Sequence, residues 1–314
     1  MKLAFLYAGQ GSQHAGMGAD LYEGSPVFRA VFDQAAEGLD FDLKTTCFTD
    51  PHELINQTQY TQPCMVAFAV GVTAMLADAG ITPDYAAGLS LGEYSALECA
   101  GVFDAKTAVE LVAFRGKAMA KASEGLVCGM TAVLMLDRET LQRCCDEASA
   151  LGVVQICNYN CPGQLVIGGE KAAVDKAAEL AKAAGAKRCL PLKVSGPFHT
   201  SLMHPAGDAL AEKFKTIDFK PMKLPVLFNC LGREKAESDS IPALLEKQVQ
   251  SSVYLEDTIR RLAELGVDTV IEVGPGKAIS GFVKKTVGSA ITCLNIETMT
   301  DFEAAVAAVK EARA

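Results

Sequence analysis

Residues 86–97 read AAGLSLGEYSAL, with Gly88, Ser90 and Gly92 in the spacing G-x-S-x-G. Glycines on both sides of a serine allow a sharp strand-to-helix turn that lifts the hydroxyl clear of the backbone, the posture of a nucleophile. A helix beginning near Leu91 would aim backbone N–H groups and a positive dipole end at a developing oxyanion. The competing explanation is packing alone, with small residues letting a strand and a helix approach closely. A serine also needs a base, and the chain has four histidines: His14, His52, His199 and His204. His52 follows Asp50 and Pro51 in a polar loop, His14 lies in a glycine turn, and His204 is expected one helical turn beyond His199. His199, in VSGPFHTSLM, follows a predicted strand and is the best candidate base. A hydrolase triad would place an acid between serine and a late histidine. Here that interval is mostly a small inserted unit and about a third of the chain follows His199, so the hydrolase template fits poorly.

Arg115 is the most informative charge. On a 3.6-residue period Ala108, Leu111, Val112, Arg115, Met119 and Ala122 share one face, so a guanidinium projects from an apolar stripe. Either it forms a structural ion pair or snorkels to water, or it is a planar fork waiting for a ligand carboxylate. The opening YAGQGSQHAGMG fails the G-x-G-x-x-G test for a dinucleotide loop, because His14 stands where the third glycine belongs. It remains either a turn that presents backbone N–H groups or a turn without function.

The elements that would position these residues alternate between strand-like and helix-like, which predicts an α/β protein. Strands are expected at 2–8 and 84–89, a buried helix at 64–79 with Pro63 near its first turn, and helices at 91–100 and 104–122, the latter capped by Asp104. From 127 to 194 the order becomes strand (130–136), helix (138–149), strands (153–159 and 164–168), helix (170–184) and strand (187–194). That is the ferredoxin-like β-α-β-β-α-β unit, inserted into a large domain formed by 1–126 and 195–314. The large domain resumes with strands at 224–229, 267–273 and 290–296 and helices at 242–249 and 254–265.

Composition narrows the class. Half of the 314 residues are hydrophobic, enough for a large core. A net charge of -9 without a basic run disfavours a general nucleic-acid binder. Eleven cysteines lack any C-x-x-C or framework spacing, which fits reduced thiols in a cytoplasmic protein and no metal centre. The longest apolar stretch, 64–77, falls short of the ~18 to 20 residues that cross a bilayer, and the N-terminal apolar run is too short for a signal peptide.

Seven segments in order resemble the malonyl-CoA:acyl carrier protein transacylases over nearly the whole chain: GQGSQ (9–13), TQP (61–63), GLSLGEYSAL (88–97), FRGKAM (114–119), NYNCPGQ (158–164), GPFHTSLM (196–203) and EVGPGKAISG (272–281). The resemblance implies a large α/β-hydrolase-like domain carrying the ferredoxin-like insert. It implies that Ser90 is acylated by malonyl-CoA, with His199 as base and the backbone N–H groups of Gln10 and Leu91 as oxyanion hole. Arg115 would bind the malonyl carboxylate, and the Gln248 carbonyl would orient His199 in place of an acid. Asn160 would line the cleft, and Phe198 resembles the malonyl-selecting form of its motif. Two positions depart from the family: Leu89 stands where histidine is usual and Cys161 where serine is common.

The reaction so implied is a ping-pong transfer of malonyl from malonyl-CoA through Ser90 to the phosphopantetheine thiol of holo acyl carrier protein, supplying fatty acid synthesis. No cofactor beyond these thioesters is expected, nor a nucleic-acid or membrane partner, and the chain is expected to be a monomer. Alternatives are a discrete polyketide acyltransferase, a serine thioesterase or hydrolase, and a non-catalytic carrier-binding protein. Lys187, Arg188, Lys277, Lys284 and Lys285 are candidates for a local basic patch facing an acidic carrier.

Overall fold

The computed structural model describes residues 1–313. Its strands are β1 (Leu3–Tyr7), β2 (Tyr85–Gly88), β3 (Cys128–Leu134), β4 (Val154–Cys161), β5 (Gln164–Glu170), β6 (Arg188–Pro191), β7 (Val226–Phe228), β8 (Arg233–Glu234), β9 (Thr269–Val273) and β10 (Thr292–Ile296). They form two sheets, ordered β10-β9-β1-β2-β7-β8 and β4-β5-β3-β6.

The large sheet is parallel from β10 through β7 and takes β8 as an antiparallel edge. Its central strands are apolar on both faces, as LAFLY in β1, because helices cover each side. The carboxyl ends of β1, β2, β7 and β9 meet at one edge of this sheet. That edge is where a parallel α/β sheet presents its ligand sites.

The small sheet is antiparallel throughout and alternates with a period of two. Val133, Ile156, Leu165 and Ile167 pack with Leu141, Cys145, Val174 and Ala177 of helices Arg138–Ala148 and Lys171–Ala183. The other face, including Met130, Ala132, Cys157 and Val166, joins the core of the large domain. The protein is thus an α/β fold with a large core and a small antiparallel domain whose second face closes over the first.

Several elements differ from the sequence expectation. The buried helix runs Thr58–Asp78, so Pro63 lies inside it rather than in its first turn. Proline there forgoes only one backbone bond, to the Gln59 carbonyl. The early start is packed by a neighbour, since a Cβ on Gly116 would lie 2.8 Å from both Gln59 Cα and the Thr58 carbonyl oxygen. At 21 residues this helix is long and apolar enough to cross a membrane by length and composition, yet 78% of its most apolar window is buried in the fold. Strand β6 ends at Pro191, three residues early. His204 begins helix His204–Phe214, whereas His199 sits in the preceding loop, so the two do not share a helix. Helices Pro26–Ala36, Leu43–Phe48, His204–Phe214, Ala278–Val287 and Met299–Arg313 were not anticipated.

Candidate active site

The serine turn is built by close approach. A Cβ on Gly88 would lie 2.1 Å from Gly92 C, and one on Gly92 would lie 2.4 Å from the Tyr7 carbonyl oxygen. Packing therefore does demand both glycines, and in doing so it pins Ser90 in the left-handed region at φ 56. A non-glycine residue held there costs on the order of 1 kcal/mol or more. Four contacts hold it: the Ser90 amide donates to Asn229 Oδ1 at 2.7 Å, Gln248 Nε2 donates to the Ser90 carbonyl at 2.7 Å, and Ser90 Oγ lies 2.7 Å from His199 Nε2 and accepts from Arg115 Nη2 at 3.0 Å.

His199 is buried and also in the left-handed region, at φ 60. Its Nδ1 lies 2.9 Å from the Gln248 carbonyl, which can only accept. The proton is thereby placed on Nδ1, and Nε2 is left with a lone pair toward Ser90 Oγ. Burial, with the Arg115 charge beside it, lowers the imidazole to about 4, so the ring is neutral at pH 7.

Arg115 is fully buried and has no carboxylate within ion-pair distance among the described residues. The structural ion pair and the snorkelling chain are both set aside. Its Nη1 donates to Gln62 Oε1 at 2.7 Å, Nη2 also reaches Gln248 Oε1 at 3.0 Å, and Nε has no partner. Glu93 lies close, but burial raises its carboxyl to about 8, which leaves it largely neutral at pH 7. A guanidinium stays charged under those conditions. The result is a buried cation held by two neutral amides and the Ser90 hydroxyl, with two of its five N–H donors, on Nε and Nη1, unused, an arrangement that favours an incoming anion.

A cavity of about 320 Å³ opens at this point. Gln10, Leu89, Ser90, Phe198 and His199 line it from the large domain, and Met130, Asn158, Asn160 and Val166 from the small one. Arg115 lies beneath Ser90 and Gln62 rather than in the wall. Neither the Gln10 nor the Leu91 backbone N–H donates to an acceptor among the described residues. Gly9 lets the Gln10 turn approach, since a Cβ there would lie 2.7 Å from the Leu89 carbonyl oxygen. The Gln10 side chain is tied through Thr58 Oγ1 (3.1 Å) to Ser195 Oγ (2.9 Å). Glu272 of β9 accepts from the amides of Ile279 and Ser280 and so seats helix Ala278–Val287, which forms another wall.

Sequence reasoning missed Gln62, Glu93 and Asn229, and gave Gln248 only its carbonyl. Gln62 and Glu93 lay inside quoted motifs, and Asn229 is a polar residue just beyond an apolar strand, at the carboxyl end of the sheet. The other histidines lie elsewhere. His14 is exposed and pairs with Glu297, His52 is exposed, and exposed His204 bonds Gln250. The five basic candidates are all exposed. Lys285 donates to Gln164 Oε1, Gln164 pairs with Leu134, and Leu134 pairs with Arg188, so the register of β5, β3 and β6 connects Lys285 with Arg188.

A parallel α/β sheet thus brings a serine turn, a histidine and a buried arginine together over one cavity, and the likeness to known proteins makes this an acyltransferase. Residues 4–309 match the family described as the acyl transferase domain, and the chain belongs to that family. It is 42% identical over 311 residues to the malonyl CoA-acyl carrier protein transacylase of Bacillus subtilis (strain 168), covering 99% of this chain and 98% of that one. The crystal structure of malonyl CoA-acyl carrier protein transacylase from Clostridium perfringens superposes with a TM-score of 0.96 at 39% identity, covering 100% of this chain and 98% of that one. A type II polyketide acyl-carrier protein in complex with its malonyl-transacylase gives a TM-score of 0.94 at 38% identity, covering 98% of this chain and 100% of the matched one.

Proposed function

We propose that this protein transfers malonyl from malonyl-CoA to the phosphopantetheine thiol of acyl carrier protein, with a malonyl ester on Ser90 between the two half-reactions. The observation that carries this reading is the buried, unpaired Arg115 guanidinium within 3.0 Å of Ser90 Oγ. A hydrolase of simple acyl groups has no use for it, whereas an acyl group ending in a carboxylate does.

Ser90 Oγ attacks the thioester carbonyl while His199 Nε2 takes its proton. The oxyanion forms against the free N–H groups of Gln10 and Leu91. The carboxylate takes the Arg115 donors in place of Ser90 Oγ and Gln248 Oε1. The C–S bond breaks and the CoA sulfur leaves with the proton from His199. The carrier thiol then gives its proton to His199, attacks the Ser90 ester, and Ser90 Oγ recovers the proton. Gln248 completes the Ser-His dyad by holding the ring, and Asn160 and Phe198 shape the cavity over the acyl group. No step calls for a metal or cofactor.

Exposed Arg188 and Lys285 are the proposed carrier contact, since they offer cations on an otherwise acidic chain and Lys285 lies one helical turn after Phe282 of the cavity wall. The unpaired state of all eleven cysteines supports a cytoplasmic setting. Incubation with radiolabelled malonyl-CoA should place label on Ser90, and holo carrier protein should collect it. Label absent from Ser90, or released chiefly as free malonate, would overturn the reading. Comparing fatty acid and type II polyketide carriers as acceptors would decide which pathway the carrier serves.

A further inference from the structure

Asn229 follows β7 and is 2% exposed, with no part in the proton relay. Three of its polar groups engage the serine turn. Oδ1 accepts from the Ser90 amide at 2.7 Å, Nδ2 donates to the Gly88 carbonyl at 2.6 Å, and the main-chain N–H donates to the Glu93 carboxyl. Gly88 is the last residue of β2 and Ser90 precedes helix Gly92–Cys99, so the Gly88 C=O and Ser90 N–H lie where the strand ladder gives out and the helix has not begun. One carboxamide satisfies both, because it carries an acceptor and a donor on the same planar group. An aspartate lacks the donor when ionised, and glutamine is one methylene longer. The bond also occupies the Ser90 N–H, which leaves the Leu91 and Gln10 amides as the free donors at the site.

We infer that Asn229 is a positioning residue that locks the serine turn, fixing Ser90 Oγ against His199 Nε2 and reserving the Leu91 amide for the oxyanion. This rests on the reading of Ser90 as nucleophile. Its role is exerted through the turn and not through substrate, so it governs the rate of acylation and not the affinity for malonyl-CoA. The titratable groups around the turn are Glu93 and Cys230, with Arg115 and His199 on the Ser90 hydroxyl.

Asn229→Ala, Asn229→Asp and Ser90→Ala are made in the full chain, and malonylation is followed by rapid quench with circular dichroism as a check on folding. Asn229→Ala should lower the acylation rate about 30-fold, the loss of two neutral hydrogen bonds, with KM for malonyl-CoA within about twofold of the parent. Asn229→Asp should be as slow at pH 8 and recover severalfold relative to the parent at pH 6, where a protonated carboxyl again donates to the Gly88 carbonyl. An unchanged rate in Asn229→Ala, a loss confined to KM, or an Asn229→Asp pH profile parallel to the parent's overturns the inference. If Asn229→Ala does not fold, the Asn229→Asp pH reversal decides alone. Label persisting in Ser90→Ala would instead refute the nucleophile reading, a separate outcome.

Discussion

The two sides of the cavity are held in different ways. On the large-domain side Ser90, His199, Arg115 and Gln248 are linked by five hydrogen bonds of 2.7 to 3.0 Å, and each residue contacts at least two of the others. On the small-domain side Asn160 Oδ1 is buried without a partner, and β4 changes register twice where it approaches the cavity, between Ile156 and Asn158 and between Tyr159 and Cys161. One wall is preorganised for bond making, while the other offers shape and an unspent acceptor. On the proposed mechanism chemistry and accommodation fall to separate parts of the fold, and substitutions on the two sides should fail in different ways.

The strongest test lies on the preorganised side. Arg115→Ala should reduce malonyl transfer about 10³-fold, as expected for removing a buried partner of a charged substrate group, and reduce acetyl transfer far less. Equal losses for the two acyl groups would break the assignment of Arg115. Next in size is the acid limb of kcat/KM. The base proposed at His199 acts only when neutral, and burial beside the Arg115 charge lowers that imidazole to about 4, so kcat/KM should stay level from pH 8 to pH 5 and then fall tenfold per pH unit below about 4. A midpoint near 6.5 would mean that the imidazole is neither desolvated nor beside the Arg115 charge. Across the cavity, Asn160→Ala should raise KM about fivefold, the worth of one neutral hydrogen bond, and leave kcat nearly unchanged. A kcat loss as large as that of Arg115→Ala would erase the distinction between the walls.

The smallest effect concerns Glu93. Its carboxyl titrates near 4.5 when unfolded and near 8 when folded, so the folded state binds the extra proton between those values and loses stability as pH rises through them. Glu93→Gln has no such proton to lose. Its melting temperature should therefore rise relative to the parent between pH 5 and pH 9, and a constant difference would show that Glu93 is already ionised.

What the sequence made legible was local. The glycines around Ser90, Asp104 capping its helix through the Thr107 amide, and Arg115 on an apolar face all act within a few residues of themselves. The alternation that gives the small sheet two apolar faces is equally local. Asn229 and Gln62 matter only because the fold brings them to Ser90 and Arg115, across 139 and 53 residues of chain. No local pattern marks such an approach. Helix Pro26–Ala36 is a different case, since Ser25 accepts from the Phe28 amide and Pro26 opens the first turn. Both are local start signals carried by the sequence itself. Leu89, the departure from the family in the serine turn, lies in the cavity wall against Gly9 and takes no part in the hydrogen bonds around Ser90 Oγ.

The order of strands in the large sheet also bears on how the chain is made. Strand β1, which precedes every other strand in chain order, is an interior strand whose partner on one side, β9, ends at Val273. The next interior strand, β2, waits for β7 at Val226. The insert, by contrast, has all four of its strands once Pro191 is made. During synthesis the small domain is therefore able to fold first while the parallel sheet keeps unpaired edges exposed, a state in which long-range pairing is slow and aggregation competes. Chaperone dependence should accordingly track the large domain, and a pulse of proteolysis on stalled nascent chains should protect the insert before it protects β1.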